Sequence, residues 1–193
     1  AERWGWDGAG SAHTAMVADV MTGVVEVLKL VSEPGDPVVV NPPVYPPFFG
    51  FIGHVERTVV KAPLGDDGHL DLESLEAAFI HAGAARRPVT YLLCNPHNPP
   101  AAGHPAGERA GVVALADTYG VRVIVDEIHG PLVPQGYVPY LSVPGSGRAF
   151  SIVSASKAWN LAGVKAALVV AGHEAGDDLA RLSPSGLAGY RLR

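Results

Sequence analysis

The sequence predicts an α/β fold, a mostly parallel sheet with helices on both faces. Short apolar runs alternate along the chain with segments of helical spacing, which is typical of strand–helix–strand units. One run, residues 121–125, is mostly β-branched, as expected of a buried parallel strand. The 193 residues, 48% of them hydrophobic, are enough for one substantial core.

Three helices are predicted from apolar spacing and from end signals. The first covers residues 19–31 and has apolar residues at helical intervals. The second covers residues 71–81, with Asp71 as its candidate N-cap. The third covers residues 105–119, because it begins with a proline and is followed by Gly120.

The predicted strands are short, and unusual polar residues follow three of them. The strands are expected at residues 38–40, 55–61, 89–94, 121–125, 150–153 and 166–171. The polar segments are residues 95–99, 126–129 and 154–157. Ligands of open α/β sheets bind beyond the carboxyl ends of the strands, so these three segments should meet there.

Composition excludes several function classes. The net charge is −5 with no basic stripe, which disfavours nucleic-acid binding. No segment reaches the ~18 apolar residues of a membrane span, and the first residues lack the apolar block of a signal peptide. A single cysteine, Cys94, fits a reducing compartment. We therefore expect a cytoplasmic protein that binds neither nucleic acid nor membrane, and the histidine spacing indicates no metal site.

The most informative motif is Ser154-Ala155-Ser156-Lys157, directly after a predicted strand. A lysine in this position can form a Schiff base with the aldehyde of pyridoxal phosphate. The two hydroxyls and nearby backbone N–H groups can bind its phosphate. The motif alone has little specificity. The prediction of a cofactor site is strengthened by the two polar segments upstream, residues 95–99 and 126–129.

Four longer motifs together resemble one enzyme family. They are residues 41–49 (NPPVYPPFF), 94–99 (CNPHNP), 126–129 (DEIH) and 156–163 (SKAWNLAG). The chain resembles a fold-type I pyridoxal-phosphate enzyme of the class I/II aminotransferase superfamily, in its cystathionine β-lyase-like C–S lyase branch (MalY/PatB type). The resemblance runs from about residue 6 to about residue 181.

The resemblance implies roles for five residues around the cofactor ring. Lys157 would be the Schiff-base lysine and would later move the α-proton of the substrate. Asp126 would pair with the pyridine nitrogen, so that the ring can stabilise a quinonoid. Asn98 would donate to the phenolic oxygen, across an Asn98–Pro99 bond that is cis in relatives. His129 could contact the same oxygen, or be only a loop histidine, and Tyr45 would stack on the ring.

The resemblance also implies a phosphate cradle at the start of the first helix. Its members would be Ser154, Ser156, Lys165 and the backbone N–H groups of Val20 and Met21. Relatives often have arginine at the position of Lys165, and many have glycine at the position of Asp19. A carboxylate there would repel a phosphate unless it points away.

The family pattern covers only part of a complete relative. Residues 1–181 are expected to form an incomplete cofactor-binding large domain, and residues 182–193 an off-pattern tail. A small C-terminal domain, which in relatives supplies the arginine for the substrate carboxylate, is absent from this pattern. Family enzymes are homodimers, so we expect this chain to self-associate.

Three functions are compatible with these observations. The first is a C–S β-lyase that acts on a cysteine conjugate such as cystathionine and releases thiol, pyruvate and ammonia. The second is an aminotransferase acting on a small amino acid, which shares the early steps. The third is a truncated, non-catalytic remnant of the cofactor-binding domain.

Overall fold

A single seven-stranded sheet organises the chain. The structure, a computed structural model, describes residues 10–99, 103–133 and 137–182. Its strands are β1 (Thr14–Val17), β2 (Pro37–Val40), β3 (Thr58–Lys61), β4 (Thr90–Cys94), β5 (Arg122–Asp126), β6 (Phe150–Val153) and β7 (Ala167–Ala171). They lie in the order β1-β7-β6-β5-β4-β2-β3. β2 to β6 run parallel, whereas β7 is antiparallel to both β6 and β1.

Within the described residues, five α-helices accompany the strands. They are α1 (Val20–Val31), α2 (Pro47–His54), α3 (Leu72–Ala82), α4 (Ala106–Tyr119) and the short α5 (Gly176–Ala180). Asp71 caps α3 by accepting hydrogen bonds from the backbone N–H groups of Glu73 and Ser74, and Gly120 ends α4 with a positive φ of 65°. Both end signals in the sequence are thereby confirmed.

Alternate strand residues enter two separate cores, one on each face of the sheet. On one face, Val38 and Val40 pack with residues of α1 and α2. On the other face, Val39 packs with residues of α3 and α4. The prediction of a mostly parallel sheet with helices on both faces is confirmed.

Gly23 allows helix α1 to pack closely against the sheet. A Cβ atom at this position would come within 3.1–3.2 Å of side-chain atoms of Ile152, Val169 and Val17. The close approach places the N-terminus of α1 beside the ends of β6 and β7. This edge of the sheet is where the sequence predicts the site.

One strand boundary was wrong, and three elements were not predicted. The strand expected at residues 55–61 begins only at Thr58, because Val55 caps α2 and Glu56 has a φ of 62°, which no strand allows. Helices α2 and α5 and strand β1 are absent from the sequence expectations. The three predicted helices match the observed ones to within one residue.

Two further expectations concern residues that the structure does not describe. The off-pattern tail lies almost wholly in residues 183–193, outside the described residues, as does the start of the resemblance near residue 6. Within the described ranges, no helix is long and apolar enough to span a membrane, and no cluster of metal-ligating side chains is found.

Candidate functional site

A cavity of about 450 Å³ opens at the carboxyl ends of the central strands, a size typical of small-molecule sites. All ten residues that the sequence singled out line this one cavity. They are Val20, Met21, Tyr45, Asn98, Asp126, His129, Ser154, Ser156, Lys157 and Lys165. The sequence therefore predicted which residues come together, whereas the chemical role of each stays a prediction.

Asp126 ends β5 and Lys157 follows the neighbouring strand β6, and both line the cavity. Asp126, the last residue of β5, is only 7% exposed. Burial raises the pKa of its carboxyl to about 6, opposed by a hydrogen bond from the Ile128 backbone N–H (3.0 Å) and by the charge of Lys157. A buried carboxylate in this environment favours a cationic group beside it.

Glu127, next to Asp126, fixes the loops that form the site. Its carboxylate accepts hydrogen bonds from Asn95 Nδ2 (2.8 Å), from the Tyr140 backbone N–H (2.9 Å) and from the Ser151 hydroxyl. The side chain is fully buried, and burial raises the pKa of its carboxyl. Sequence reasoning assigned it no role; its signal was a second acidic residue directly after Asp126.

The three other predicted ring contacts, Asn98, His129 and Tyr45, line the cavity. The Asn98–Pro99 peptide bond is cis, as the resemblance implied. Burial lowers the pKa of His129, and the charge of Lys157 lowers it further. Tyr45 is 36% exposed and packs edge-on against Phe48, with ring centroids 5.7 Å apart. Whether any of them touches a cofactor ring stays a prediction.

The end of the cavity predicted to bind phosphate contains hydroxyls and free backbone donors. The Ser154 hydroxyl donates to the Ala166 carbonyl oxygen (2.8 Å) and accepts from the Ser156 backbone N–H (3.1 Å). The Ser154 hydroxyl therefore holds the residue after β6 beside the residue before β7. Val20 and Met21 are the first two residues of α1, whose N–H groups have no acceptor within the helix.

Asp19 lies at the same end of the cavity. Its carboxylate does not point away from the predicted phosphate site but contacts Lys165, another predicted member of that site. Its Oδ1 accepts a hydrogen bond from the Thr22 backbone N–H (2.8 Å), so Asp19 is the N-cap of α1. Its Oδ2 lies 3.4 Å from Lys165 Nζ. Burial raises the pKa of this carboxyl, but the contacts with Thr22 and Lys165 outweigh it and the net shift is downward. Asp19 is therefore ionised near neutral pH.

The remaining wall of the cavity is apolar and was not predicted. It consists of Pro47, Phe51, Ile128, Ala162, Val164 and Ala166. These residue types carry no chemical signal, and only the fold shows that they face the site.

Comparison with known proteins gives a family match over most of the chain. The model of the family described as aminotransferase class I and II matches residues 13–188. A Mycobacterium tuberculosis H37Rv protein, provisionally named a cystathionine beta-lyase, is 53% identical over 186 residues, which are 94% of this chain and 46% of that protein. The Bacillus subtilis cystathionine beta-lyase PatB is 32% identical over 158 residues, 78% of this chain and 40% of PatB.

A solved structure shows the same fold. It is a Corynebacterium diphtheriae protein provisionally titled a PLP-dependent beta-cystathionase, with a TM-score of 0.86 and 28% identity. The match covers 96% of this chain and 48% of that one. The chain thus spans about half the length of the relatives it matches.

Proposed function

The chain belongs to the class I and II aminotransferase family, and from this premise we propose that its cavity binds pyridoxal 5′-phosphate for carbon–sulfur β-elimination. Members of the family are pyridoxal-phosphate-dependent lyases and aminotransferases. The observation that carries the proposal is the convergence of ten separately predicted residues on one cavity. The substrate class is a cysteine conjugate such as cystathionine, since cystathionine beta-lyases are among the relatives.

The donors around the cavity fit the cofactor. At one end, Ser156, Lys165 and the free N–H groups of α1 suit a phosphate. Towards the sheet, the buried carboxyl of Asp126 suits a protonated ring nitrogen. The amine of Lys157 is available to hold the aldehyde carbon.

The chemistry divides between the cofactor and this chain. When bound, pyridoxal 5′-phosphate stabilises the negative charge that develops at the α-carbon of an amino acid. Asp126 would keep the ring nitrogen protonated, and Tyr45 would fix the plane of the ring. The Lys157 amine takes the proton from the α-carbon, after which the bond between the β-carbon and sulfur can break. The sulfur leaves as a thiolate that takes up a proton, and water hydrolyses the remaining three-carbon fragment, so thiol, pyruvate and ammonia are the expected products.

The domain assignment and the oligomeric state remain parts of this proposal. We propose that residues 1–181 form the cofactor-binding large domain, that residues 182–193 are an off-pattern tail, and that the chain works as a cytoplasmic homodimer. Dimerisation is supported by large apolar side chains that stay exposed in the single chain. They include Phe51 (38%), Trp159 (56%) and Val164 (58%).

The test is a comparison of two reactions with the purified chain and added cofactor. A lyase releases thiol and pyruvate from cystathionine at a rate above that of free pyridoxal phosphate, and Lys157→Ala abolishes the excess. Amino transfer to a 2-oxo acid without thiol release would instead identify an aminotransferase. A rate equal to that of the free cofactor in both assays would contradict catalysis by this chain and identify a non-catalytic remnant.

A further inference from the structure

The N-terminus of α1 already holds a carboxylate beside the groups proposed for the cofactor phosphate. Asp19 Oδ1 accepts a hydrogen bond from the Thr22 backbone N–H, and Asp19 Oδ2 lies 3.4 Å from Lys165 Nζ. Asp19 and Lys165 both line the cavity. The ammonium group expected to hold the phosphate is therefore paired with an anion of the chain itself.

We propose that Asp19 is an internal stand-in for the cofactor's 5′-phosphate, which must displace this carboxylate from Lys165 when it binds. The inference rests on the proposed function, because it takes the cavity to be a pyridoxal-phosphate site. A helix N-terminus and an ammonium group attract anions of either kind, so the carboxylate and the phosphate compete for them. Asp19 therefore weakens the binding of the phosphorylated cofactor.

The expected change in cofactor affinity is modest, because the side chains of Asp19 and Lys165 are both partly exposed to water. The side chains of Lys165 and Asp19 are 72% and 40% exposed, so water and salt screen their interaction. Exposed pairs of this kind are weak, and a bound phosphate would feel both the loss of a free Lys165 and the repulsion of Asp19. We expect a change in cofactor affinity of about three- to tenfold. Pyridoxal, which lacks the phosphate, should be insensitive to Asp19.

The variants isolate the charge of Asp19 from its capping role. Asp19→Asn keeps an oxygen for the Thr22 N–H, since asparagine is as good an N-cap as aspartate. Asp19→Ser is a second capping variant without the charge. The matched control is Glu26→Gln, which alters net charge equally on the same helix; Glu26 pairs with Lys29 at 2.9 Å and does not line the cavity.

The experiment is equilibrium dialysis of each protein against pyridoxal 5′-phosphate and, separately, against pyridoxal, with circular dichroism as the check on folding. We expect the dissociation constant for pyridoxal 5′-phosphate to fall about three- to tenfold in Asp19→Asn and Asp19→Ser. It should stay unchanged in Glu26→Gln. The dissociation constant for pyridoxal should be the same in all four proteins.

The other possible outcomes distinguish a failure of the inference about Asp19 from a failure of the proposed function. Unchanged or weaker binding of pyridoxal 5′-phosphate by the folded Asp19 variants overturns the stand-in and leaves the proposed function standing. Equal tightening for pyridoxal also overturns it, because the effect would then not involve the phosphate. No binding of pyridoxal 5′-phosphate by the unaltered chain overturns the proposed function and this inference together.

Discussion

Lys157 and Asp126 face one cavity and are close enough that the lysine charge lowers the pKa of the aspartate carboxyl, against the opposing effect of burial. The sheet produces this relationship. Strands β5 and β6 are parallel neighbours, and Asp126 lies opposite Ile152 in their register. Lys157 follows five residues later in the chain, beyond the same edge of the sheet, so an amine and a carboxyl reach the cavity together.

Replacement of Asp126 by asparagine should stabilise the protein without cofactor at neutral pH. The carboxyl has a pKa of about 6 when folded, above the ordinary value of 3.8. The folded state therefore binds this proton more tightly than the unfolded state, and the group costs stability as the pH rises from about 4 to about 6. Urea unfolding should show Asp126→Asn to be more stable than the unaltered chain at pH 7, by up to about 3 kcal/mol, and nearly equal to it at pH 4.

Addition of cofactor should stabilise the unaltered chain more than Asp126→Asn. A carboxylate beside a protonated ring nitrogen stabilises the complex, whereas the asparagine amide does not. Saturating pyridoxal 5′-phosphate should therefore raise the melting temperature of the unaltered chain more than that of Asp126→Asn. An equal rise in both proteins would contradict the pairing of Asp126 with the ring nitrogen.

Two buried histidines should make the fold sensitive to acid. His97 and His104 have Nε2 atoms within hydrogen-bond distance of backbone carbonyl oxygens, and burial lowers the pKa of both side chains. His97 Nδ1 has no hydrogen-bond partner within the described residues, so a second proton there would be buried without an acceptor. The unfolded chain binds these protons more readily than the folded chain does. Their contribution to stability is thus present above pH 6.5 and is lost as the pH falls through the lowered values.

The check is urea unfolding between pH 7 and pH 5. We expect the free energy of unfolding to fall across this range, and His104→Gln to reduce the fall because glutamine does not titrate. His81→Gln, at an exposed position near the end of α3, is the control and should leave the pH dependence unchanged. A fall of the same size in His104→Gln as in the unaltered chain would show that His104 does not carry this dependence.

Loss of Glu127 should destabilise the loops around the site. Glu127→Ala leaves Asn95 Nδ2, the Tyr140 backbone N–H and the Ser151 hydroxyl without their acceptor. Each buried donor left unpaired costs about 1–3 kcal/mol, so we expect a loss of at least ~3 kcal/mol in the free energy of unfolding. Glu127→Gln, which retains one acceptor oxygen, should lose less. Glu33→Ala, at an exposed position, should stay within about 0.5 kcal/mol, and a similarly small loss in Glu127→Ala would refute the network.

The site was predictable because several of its polar residues lie at or just after the carboxyl ends of strands. Asp126 ends an apolar strand, Asn98 and Lys157 follow two others, and parallel strands present their carboxyl ends at one edge. The remaining candidates were predicted from residue types suited to contact an aromatic ring, a ring nitrogen or a phosphate. The orientation of Asp19 was not predictable, because its partner Lys165 lies 146 residues away along the chain.

The elements that sequence reasoning missed are those that tertiary contacts decide. Helix α2 spans eight residues with two glycines and no polar stripe, and it is held by burial of Phe48 and Ile52. Strand β1 has only four residues and pairs with β7 at the edge of the sheet. The expected strand at residues 55–61 was too long because Glu56 takes a left-handed conformation that apolar patterning does not reveal.

The most direct test of the account is the absorbance spectrum of the chain after incubation with pyridoxal 5′-phosphate and dialysis. We expect the unaltered chain to retain the absorbance band of the lysine-bound cofactor and Lys157→Ala to lose it. Lys29→Ala, which changes an exposed lysine outside the cavity, should retain the band. A chain without the band, or an undiminished band in Lys157→Ala, would contradict the claim that this cavity holds the cofactor through Lys157.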